Sequence, residues 1–332
     1  MSMFLANSTK RALLAGLLLM SATTWARKPA AQRHEVAADL GLAVANEASD
    51  ATLSLQYTFT PAALERFDAV HPALRRFVRH ASELHVRVLH DGSSTDTRNL
   101  AVVGGTLHLF DGVVFVAAEA GVENDEVVYD AREDSYITAP YTVELGARPL
   151  PLLSLSAFLR DLPIVSAPTD DIVSQPVTRD GRQSQLGGVI TVASPGDRFL
   201  GRLRVGLSQT RWSFSGFHPG DVDAEGLFAE AAFSFQTSRN FSWLLELDGK
   251  RESWNNQRLD EMDREFVGRD VKRQLYGARA TIGFVYWFQG KLGFRVGFGG
   301  GFENTPPIYY HDVDRGPISG FGQLALGLVT RF

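Results

Sequence analysis

Residues 292–298 read Leu-Gly-Phe-Arg-Val-Gly-Phe, so that large apolar side chains alternate with glycine and arginine. Alternation with a period of two is typical of a β-strand that has one apolar face. The three residues Gln289-Gly290-Lys291 precede this run as a tight turn, and the stretch before them, 276–288, alternates in the same way. Together they predict an antiparallel hairpin with an apolar face.

The end of the chain continues the pattern and adds a specific feature. Leu326, Leu328, Thr330 and a terminal Phe332 follow one another at a spacing of two. A last strand that closes on an outward aromatic residue resembles the C-terminal strand of Gram-negative outer-membrane β-barrel proteins, as a broad class. The resemblance implies a transmembrane β-barrel, a barrel-assembly signal in these four residues, and three partners: outer-membrane lipid, lipopolysaccharide and the barrel-assembly machinery.

Composition excludes several classes of protein. The chain has 332 residues, no cysteine, and 44% hydrophobic residues. After the first thirty residues no run of 18 or more apolar residues occurs, which excludes a helical membrane protein. The net charge of −5 argues against a nucleic-acid partner.

The N-terminus has the features of an export signal. Lys10 and Arg11 precede a short apolar run, Ala12–Met20, and small residues follow at Thr24 and Ala26. This arrangement predicts a secretory signal peptide over residues 1–26, cleaved after Ala26. Residues 27–332 then form the outer-membrane barrel domain, and the protein is expected in the outer membrane of a Gram-negative cell.

The alternating pattern recurs along the chain and predicts an all-β fold. We expect an antiparallel up-and-down transmembrane barrel of about 14 strands, with 12–16 possible. Short and long connections alternate, which a soluble β-sandwich has no reason to show but which fits short periplasmic turns and long extracellular loops. The predicted short turns are Asp111-Gly112, Arg148-Pro149, Pro195-Gly196, Arg239-Asn240 and Gln289-Gly290-Lys291, and the predicted long loops are 123–136, 161–183, 254–269 and 303–316.

Aromatic residues are expected to form two belts, one at each end of an apolar band. Near the short turns lie Phe235, Phe241, Trp243, Tyr286, Phe288 and Phe332, and near the long loops lie Trp212, Phe214, Trp254 and Tyr276.

One segment departs from the pattern. Thr60-Pro61 begins a stretch in which apolar residues recur at helical spacing, and this predicts a short helical segment near 61–81. Two interpretations are open. The segment is a connection packed on the end of the barrel, or it is a basic amphipathic element that lies at a membrane surface, plugs the lumen or docks a periplasmic partner.

Alternation also places charged side chains on the inward face. The predicted pore-lining residues are Arg87, Arg202, Arg204, Glu246, Asp248, Arg279 and Arg295. Charge is inexpensive in a wet lumen and costly in a dry one where it lacks a partner. The arginines therefore form either a basic channel wall that attracts anionic solutes or, with the carboxylates, a network that braces a closed barrel.

Motifs for chemistry are not apparent. His85, His108, His218 and His311 do not fall in a recognisable Ser/His arrangement, and acidic loop clusters lack metal-ligand spacing. We expect no cofactor, no metal site and no catalytic residue. The expected function is a passive, porin-like channel for small hydrophilic solutes, including anionic ones. The alternatives are a closed structural or assembly barrel that partners an envelope export or biogenesis system, and an outer-membrane lipid-active enzyme.

Overall fold

A computed structural model of the protein describes the chain in fourteen segments. These are residues 33–45, 49–60, 83–92, 96–109, 113–129, 132–150, 152–164, 181–194, 198–214, 220–238, 240–255, 273–288, 291–304 and 318–331. The predicted signal peptide, the predicted helical segment near 61–81 and the terminal Phe332 lie outside these residues. Within them, no helix is both long enough and apolar enough to cross a membrane.

The described residues form fifteen β-strands in one sheet. The strands are β1 (Arg33–Ala45), β2 (Ser49–Thr60), β3 (Glu83–Gly92), β4 (Asp96–Leu109), β5 (Val114–Tyr129), β6 (Arg132–Thr138), β7 (Tyr141–Leu150), β8 (Leu153–Ile164), β9 (Gly181–Ala193), β10 (Phe199–Phe214), β11 (Gly220–Ser238), β12 (Phe241–Asn255), β13 (Arg273–Phe288), β14 (Leu292–Asn304) and β15 (Ile318–Arg331).

β6 and β7 are two parts of one wall strand. Both pair with β5 in a single register, with Thr138 opposite Glu123 and Tyr141 opposite Ala120. Pro140 lies between them and has no N–H to donate to the ladder, although its carbonyl accepts a hydrogen bond from the Gly121 N–H at 2.9 Å. The barrel wall therefore contains 14 strands.

The sheet closes on itself. Each wall strand pairs antiparallel with its neighbours along the chain, β1 pairs with β15, and the β4–β5 pairing completes the ring. The prediction of an all-β, closed, antiparallel up-and-down barrel of about 14 strands is confirmed. Strands about 4.8 Å apart, tilted as in other barrels, enclose a lumen on the order of 25 Å across between backbones.

The two ends of the barrel differ in their connections. The end at which β1 starts and β15 finishes is called the short-turn end, and the opposite end is called the long-loop end. Connections at the short-turn end span residues 61–82, 110–113, 151–152, 194–198, 239–240 and 289–291. The long-loop end carries 165–180, 256–272 and 305–317, together with the shorter connections 46–48, 93–95, 130–131 and 215–219.

Two predicted connections were wrong. Arg148-Pro149 lies inside β7, where a register shift between Ala147 and Leu150 accommodates the proline. Most of the predicted acidic loop 123–136 belongs instead to the hairpin of β5 and β6. Its acidic residues interrupt the apolar alternation that predicts a strand. In the structure, Glu123 and Asp125 are buried on the inward side of β5, and Arg98 of β4 pairs with Glu123 at 2.6 Å.

The outer surface of the barrel is apolar. Outward residues that remain exposed include Leu42, Val88, Leu145, Leu155, Ile190, Leu203, Val205, Leu247, Ile282, Phe298 and Leu326. Towards the short-turn end this band meets Phe235, Trp243, Tyr286 and Phe288, and Tyr276 packs on Phe302 nearer the long-loop end. A closed band of exposed apolar side chains is the surface that a barrel presents to lipid.

Two paired glycines leave room for aromatic rings on the inner wall. Gly187 and Gly206 are opposite each other on β9 and β10, and the rings of Phe158 and Phe228 cover them. A Cβ added at Gly206 would lie 2.5 Å from the Leu186 carbonyl oxygen and 2.9 Å from the Phe228 ring.

We expect Gly206→Ala to destabilise the barrel by about 1–3 kcal/mol, because a backbone carbonyl does not yield to the added methyl group. Gly322→Ala is the matched control, since an added Cβ there meets nothing within 4 Å. Urea unfolding of both variants in lipid vesicles measures the difference. Equal stability of the two variants would contradict the close approach seen here.

Candidate functional site in the lumen

The seven predicted pore-lining residues lie on β3 and on β10 to β14. Arg202 and Arg204 flank the outward Leu203, and Arg87 lies between the outward Val86 and Val88. Period-two geometry therefore directs these side chains into the barrel. The remaining four form ion pairs with one another along the wall: Arg279 with Asp248, and Arg295 with Glu246.

The wall formed by β7 to β10 is dry; we call it the buried wall. Arg202 Nη2 lies 3.3 Å from Glu144 Oε2, and the two side chains are 4% and 2% exposed. This pair spans from β10 to β7, across the two intervening strands. Glu144 also accepts a hydrogen bond from Ser156 Oγ at 2.6 Å. With so little hydration, each member of this ion pair depends on the other, because burying a single charge without a partner destabilises the fold.

Glu230 of β11 joins two further arginines to this wall. Arg204 Nη1 lies 2.8 Å from one carboxylate oxygen, and Arg160 Nη1 of β8 lies 3.2 Å from the other. The Arg204 guanidinium also lies 4.6 Å from the centroid of the Phe158 ring, in a cation–π contact. Arg204 is therefore held both by charge and by packing.

A hydrogen-bonded chain continues from these arginines towards the long-loop end. Arg160 donates to Gln185, and Gln185 donates to Gln183. Gln183 and Ser208 donate to Glu252 Oε1 at 2.8 and 2.9 Å. These hydrogen bonds join polar side chains of β8, β9, β10 and β12 in one network.

The wall formed by β12 to β15 is wet, and we call it the exposed wall. Arg279 pairs with Asp248 at 2.6 Å, yet these side chains are 50% and 35% exposed. Lys250 pairs with Glu303 at 3.1 Å, with exposures of 39% and 45%. Charged side chains that point into the barrel and keep this much contact with solvent show a water-filled space beside them.

Arg295 of β14 lies between two carboxylates. It contacts Glu246 of β12 at 3.2 Å and Asp39 of β1 at 3.7 Å. The exposed wall therefore carries carboxylates and cations in near balance along its length.

The exposed wall carries mostly small residues at the inward positions of β14 and β15. The inward positions of β14 are Gly293, Gly297, Gly299 and Gly301, apart from Arg295 and Glu303, and β15 adds Ala325 and Gly327. Gly297 has the most room, since an added Cβ would have its nearest neighbours at 3.6 and 3.7 Å, whereas the side chains of Trp287, Gln323 and Phe321 lie within 2.9 Å of an added Cβ at Gly293, Gly299 and Gly301.

An apolar layer lies inside the short-turn end. Leu200, Leu244, Val285, Trp287 and Val329 are buried together with Ala37 and Ala193. The Trp287 ring lies over Gly293, where an added Cβ would be 2.9 Å from it. The alternation did not single out this layer, because Val285-Tyr286-Trp287-Phe288 is apolar on both faces and does not show which side points inward.

Sequence reasoning missed most of the carboxylates that pair with the arginines. Glu144 lies between the outward Val143 and Leu145, and Asp39 occupies an inward position of β1. Alternation marks both as inward, so the signal was present in the sequence. The pairing itself was not, because it joins strands that are separated along the chain.

The predicted assembly signal and the histidines have simple positions. Leu326 and Leu328 of β15 are exposed on the outer face, and Thr330 pairs with Val36 and Leu292 across the closing strands. His85 Nε2 of β3 lies 3.2 Å from Glu119 Oε1. Among the described residues, no group of three or more His, Asp or Glu side chains is arranged to hold a metal ion.

Comparisons with known proteins give remote structural likenesses. No family model and no curated protein matches the sequence. An outer-membrane channel of Pseudomonas putida F1, described as COG4313, is 12% identical with a TM-score of 0.45, covering 93% of this chain and 98% of that one. The toluene transporter TodX of Pseudomonas putida is 10% identical with a TM-score of 0.44, covering 92% and 90%. OmpT with loop L8 deleted, from Vibrio cholerae, is 10% identical with a TM-score of 0.40, covering 91% and 100%. At these values the likenesses carry no argument about function.

Proposed function

We propose that this protein is an integral outer-membrane β-barrel that acts as a passive channel for small hydrophilic solutes. The observation that carries the proposal is the exposed wall, where inward ion pairs such as Arg279–Asp248 remain in contact with solvent. Side chains just fill a barrel of about eight strands, whereas barrels of about 16 to 18 strands leave an aqueous channel. A barrel of 14 strands lies between these two sizes and has room for water beside its exposed inward charges.

The charges of the lumen do not favour anions. Arg202, Arg204 and Arg295 each face a carboxylate, and so do Arg279 and Lys250. A wall of unpaired arginines would attract anions, but paired arginines give little net potential. We therefore propose a channel without the anion preference that the arginines alone suggested.

The location and partners of the protein complete the proposal. Residues 1–26 direct export and are removed, and the apolar band then lies in outer-membrane lipid, with the long-loop end facing lipopolysaccharide. Leu326, Leu328, Thr330 and Phe332 are read by the barrel-assembly machinery. In this proposal the protein is not an enzyme and needs no cofactor.

A closed barrel is the second candidate, and the apolar layer at the short-turn end favours it. Trp287, Val285 and Val329 are 1% exposed or less, so the layer excludes water locally. If the layer spans the lumen, the barrel serves as a structural or assembly partner in an export or biogenesis system.

Single-channel recording separates the two candidates. We expect refolded, heat-modifiable protein in a planar bilayer to give stable conductance steps in potassium chloride, because the inward ion pairs of the exposed wall are in contact with solvent. The same protein kept unfolded in urea before dilution is the control. Silence from correctly folded barrels would overturn the channel and favour the closed barrel.

A further inference from the structure

The two walls of the lumen offer very different surfaces to a solute. On the buried wall, Arg202, Arg204 and Glu144 are at most 4% exposed; Arg202 pairs with Glu144, and Arg204 pairs with Glu230, which is 33% exposed. On the exposed wall, Arg279, Asp248, Lys250 and Glu303 are between 35% and 50% exposed. Among the described inward residues, a solute that enters the lumen therefore meets ion pairs with both members exposed on the side of β12 to β15.

Small inward residues lie beside these charges on β13, β14 and β15, and we call this strip the groove. Gly297 of β14 faces Gly283 of β13 and Ala325 of β15, so three neighbouring inward positions lack side chains larger than a methyl group. A Cβ added at Gly297 would still have its nearest neighbours at 3.6 and 3.7 Å, from Thr281 and Ala325. The groove lies on the same strands as the exposed ion pairs.

The charges along the groove come in pairs of opposite sign. Lys250–Glu303 and Asp248–Arg279 lie nearer the long-loop end, and Arg295 with Glu246 and Asp39 lies deeper. An ion with a single charge has to compete with an existing partner and leaves the other member of the pair without one. A zwitterion can lie beside a pair and satisfy both members at once.

We propose that solutes cross along this groove, formed by β12 to β15, and that its ion-pair ladder selects zwitterionic solutes over singly charged ions of the same size. The inference rests on the proposed channel function and names its path and solute class. Lys250, Asp248, Arg279 and Glu303 then determine specificity, whereas Arg202 and Arg204 of the buried wall do not contact the solute.

The absence of cysteine from the chain allows the path to be mapped directly. Ala325→Cys places a thiol in the groove, and Ser208→Cys places one on the opposite wall, where Ser208 is 4% exposed. We expect anionic sulfonatoethyl and cationic trimethylammonioethyl methanethiosulfonates to modify Ala325→Cys and lower its conductance by about half or more. After correction for their rates with a free thiol, the two rates should agree within about threefold, since the groove is near neutral.

Ser208→Cys is expected to stay unmodified in barrels whose heat-modifiability on gels shows that they are folded. Modification of Ser208→Cys with protection of Ala325→Cys would place the path elsewhere and overturn the inference. A preference of about tenfold or more for the anionic reagent at Ala325→Cys would show a basic path and would also overturn it.

Solute selectivity is tested by swelling of liposomes that contain the protein. We compare β-alanine, a zwitterion, with sodium propionate and propionamide, which have nearly the same size. β-Alanine is expected to enter about threefold faster than propionate, and Arg279→Gln with Asp248→Asn, which removes one exposed ion pair without changing the net charge, should lessen the difference. Arg251→Gln is the matched control, because Arg251 neighbours Lys250 on β12 but is exposed on the outer face and contacts Gln274.

The outcomes separate this inference from the channel proposal. If no solute enters and no conductance is found, the channel itself is wrong. If all three solutes enter at equal rates, or Arg251→Gln has the same effect as the double variant, the channel stands and the selective groove is wrong.

Discussion

Arg202→Ala is expected to destabilise the folded barrel by about 3–5 kcal/mol, because it leaves the Glu144 carboxylate buried without its cation. Glu144 is 2% exposed and lies three wall strands away from Arg202, so water cannot readily replace the guanidinium. Urea titration in lipid vesicles, followed by tryptophan fluorescence and by heat-modifiability on gels, measures the loss. A loss of this size would show that Arg202 braces the wall rather than attracting solutes.

Two further variants make the result specific. Arg279→Ala removes the same side chain from the exposed wall, where Arg279 and Asp248 are largely hydrated, and is expected to cost about 0–1 kcal/mol. Arg202→Met with Glu144→Gln removes both buried charges and should recover most of the stability. If Arg202→Ala keeps full stability and changes only ion selectivity, the buried wall is instead part of the pore.

Leu203→Arg is expected to destabilise the barrel in a bilayer by about 2–4 kcal/mol, because it places a charge on the lipid face near the middle of the apolar band. Leu203 lies between Ile190 and Ala231 in register and points outward, between the inward Arg202 and Arg204. The measurement is reversible urea unfolding in vesicles of defined chain length. The same residue type is thus required on one side of the backbone and excluded on the other.

Gln209→Arg is the control for this prediction. Gln209 is exposed on the same outward face of β10, six residues nearer the long-loop end than Leu203, where the outward residues become polar. Near the interface the cost of arginine falls to about 0–1 kcal/mol. Equal costs at the two positions would mean that the apolar band does not lie in lipid.

The closed barrel was readable from the sequence because its signal is local. In a run such as Leu203-Arg204-Val205, the alternation indicates which side chains face outward and which face inward. The structure contains a strand over this run, β10. Prediction failed where the local signal changed: in β5 and β6 acidic residues interrupt the apolar alternation of the sequence, and at Arg148-Pro149 a bulge carries the strand past a proline. The inward position of Trp287 was hidden for the opposite reason, since its neighbours are all apolar.

Alternation and the spacing of turns were sufficient to determine the all-β class, the approximate strand number and the inward placement of Arg202, Arg204, Arg279 and Arg295. Only the tertiary structure decided which of these charges are dry and which are wet. The reason is that hydration depends on neighbours around the ring: Glu144 reaches Arg202 across two strands and both are at most 4% exposed, whereas Arg279 and its partner Asp248 remain 50% and 35% exposed. Inward direction is a property of one strand, but the hydration of a charge belongs to the closed barrel.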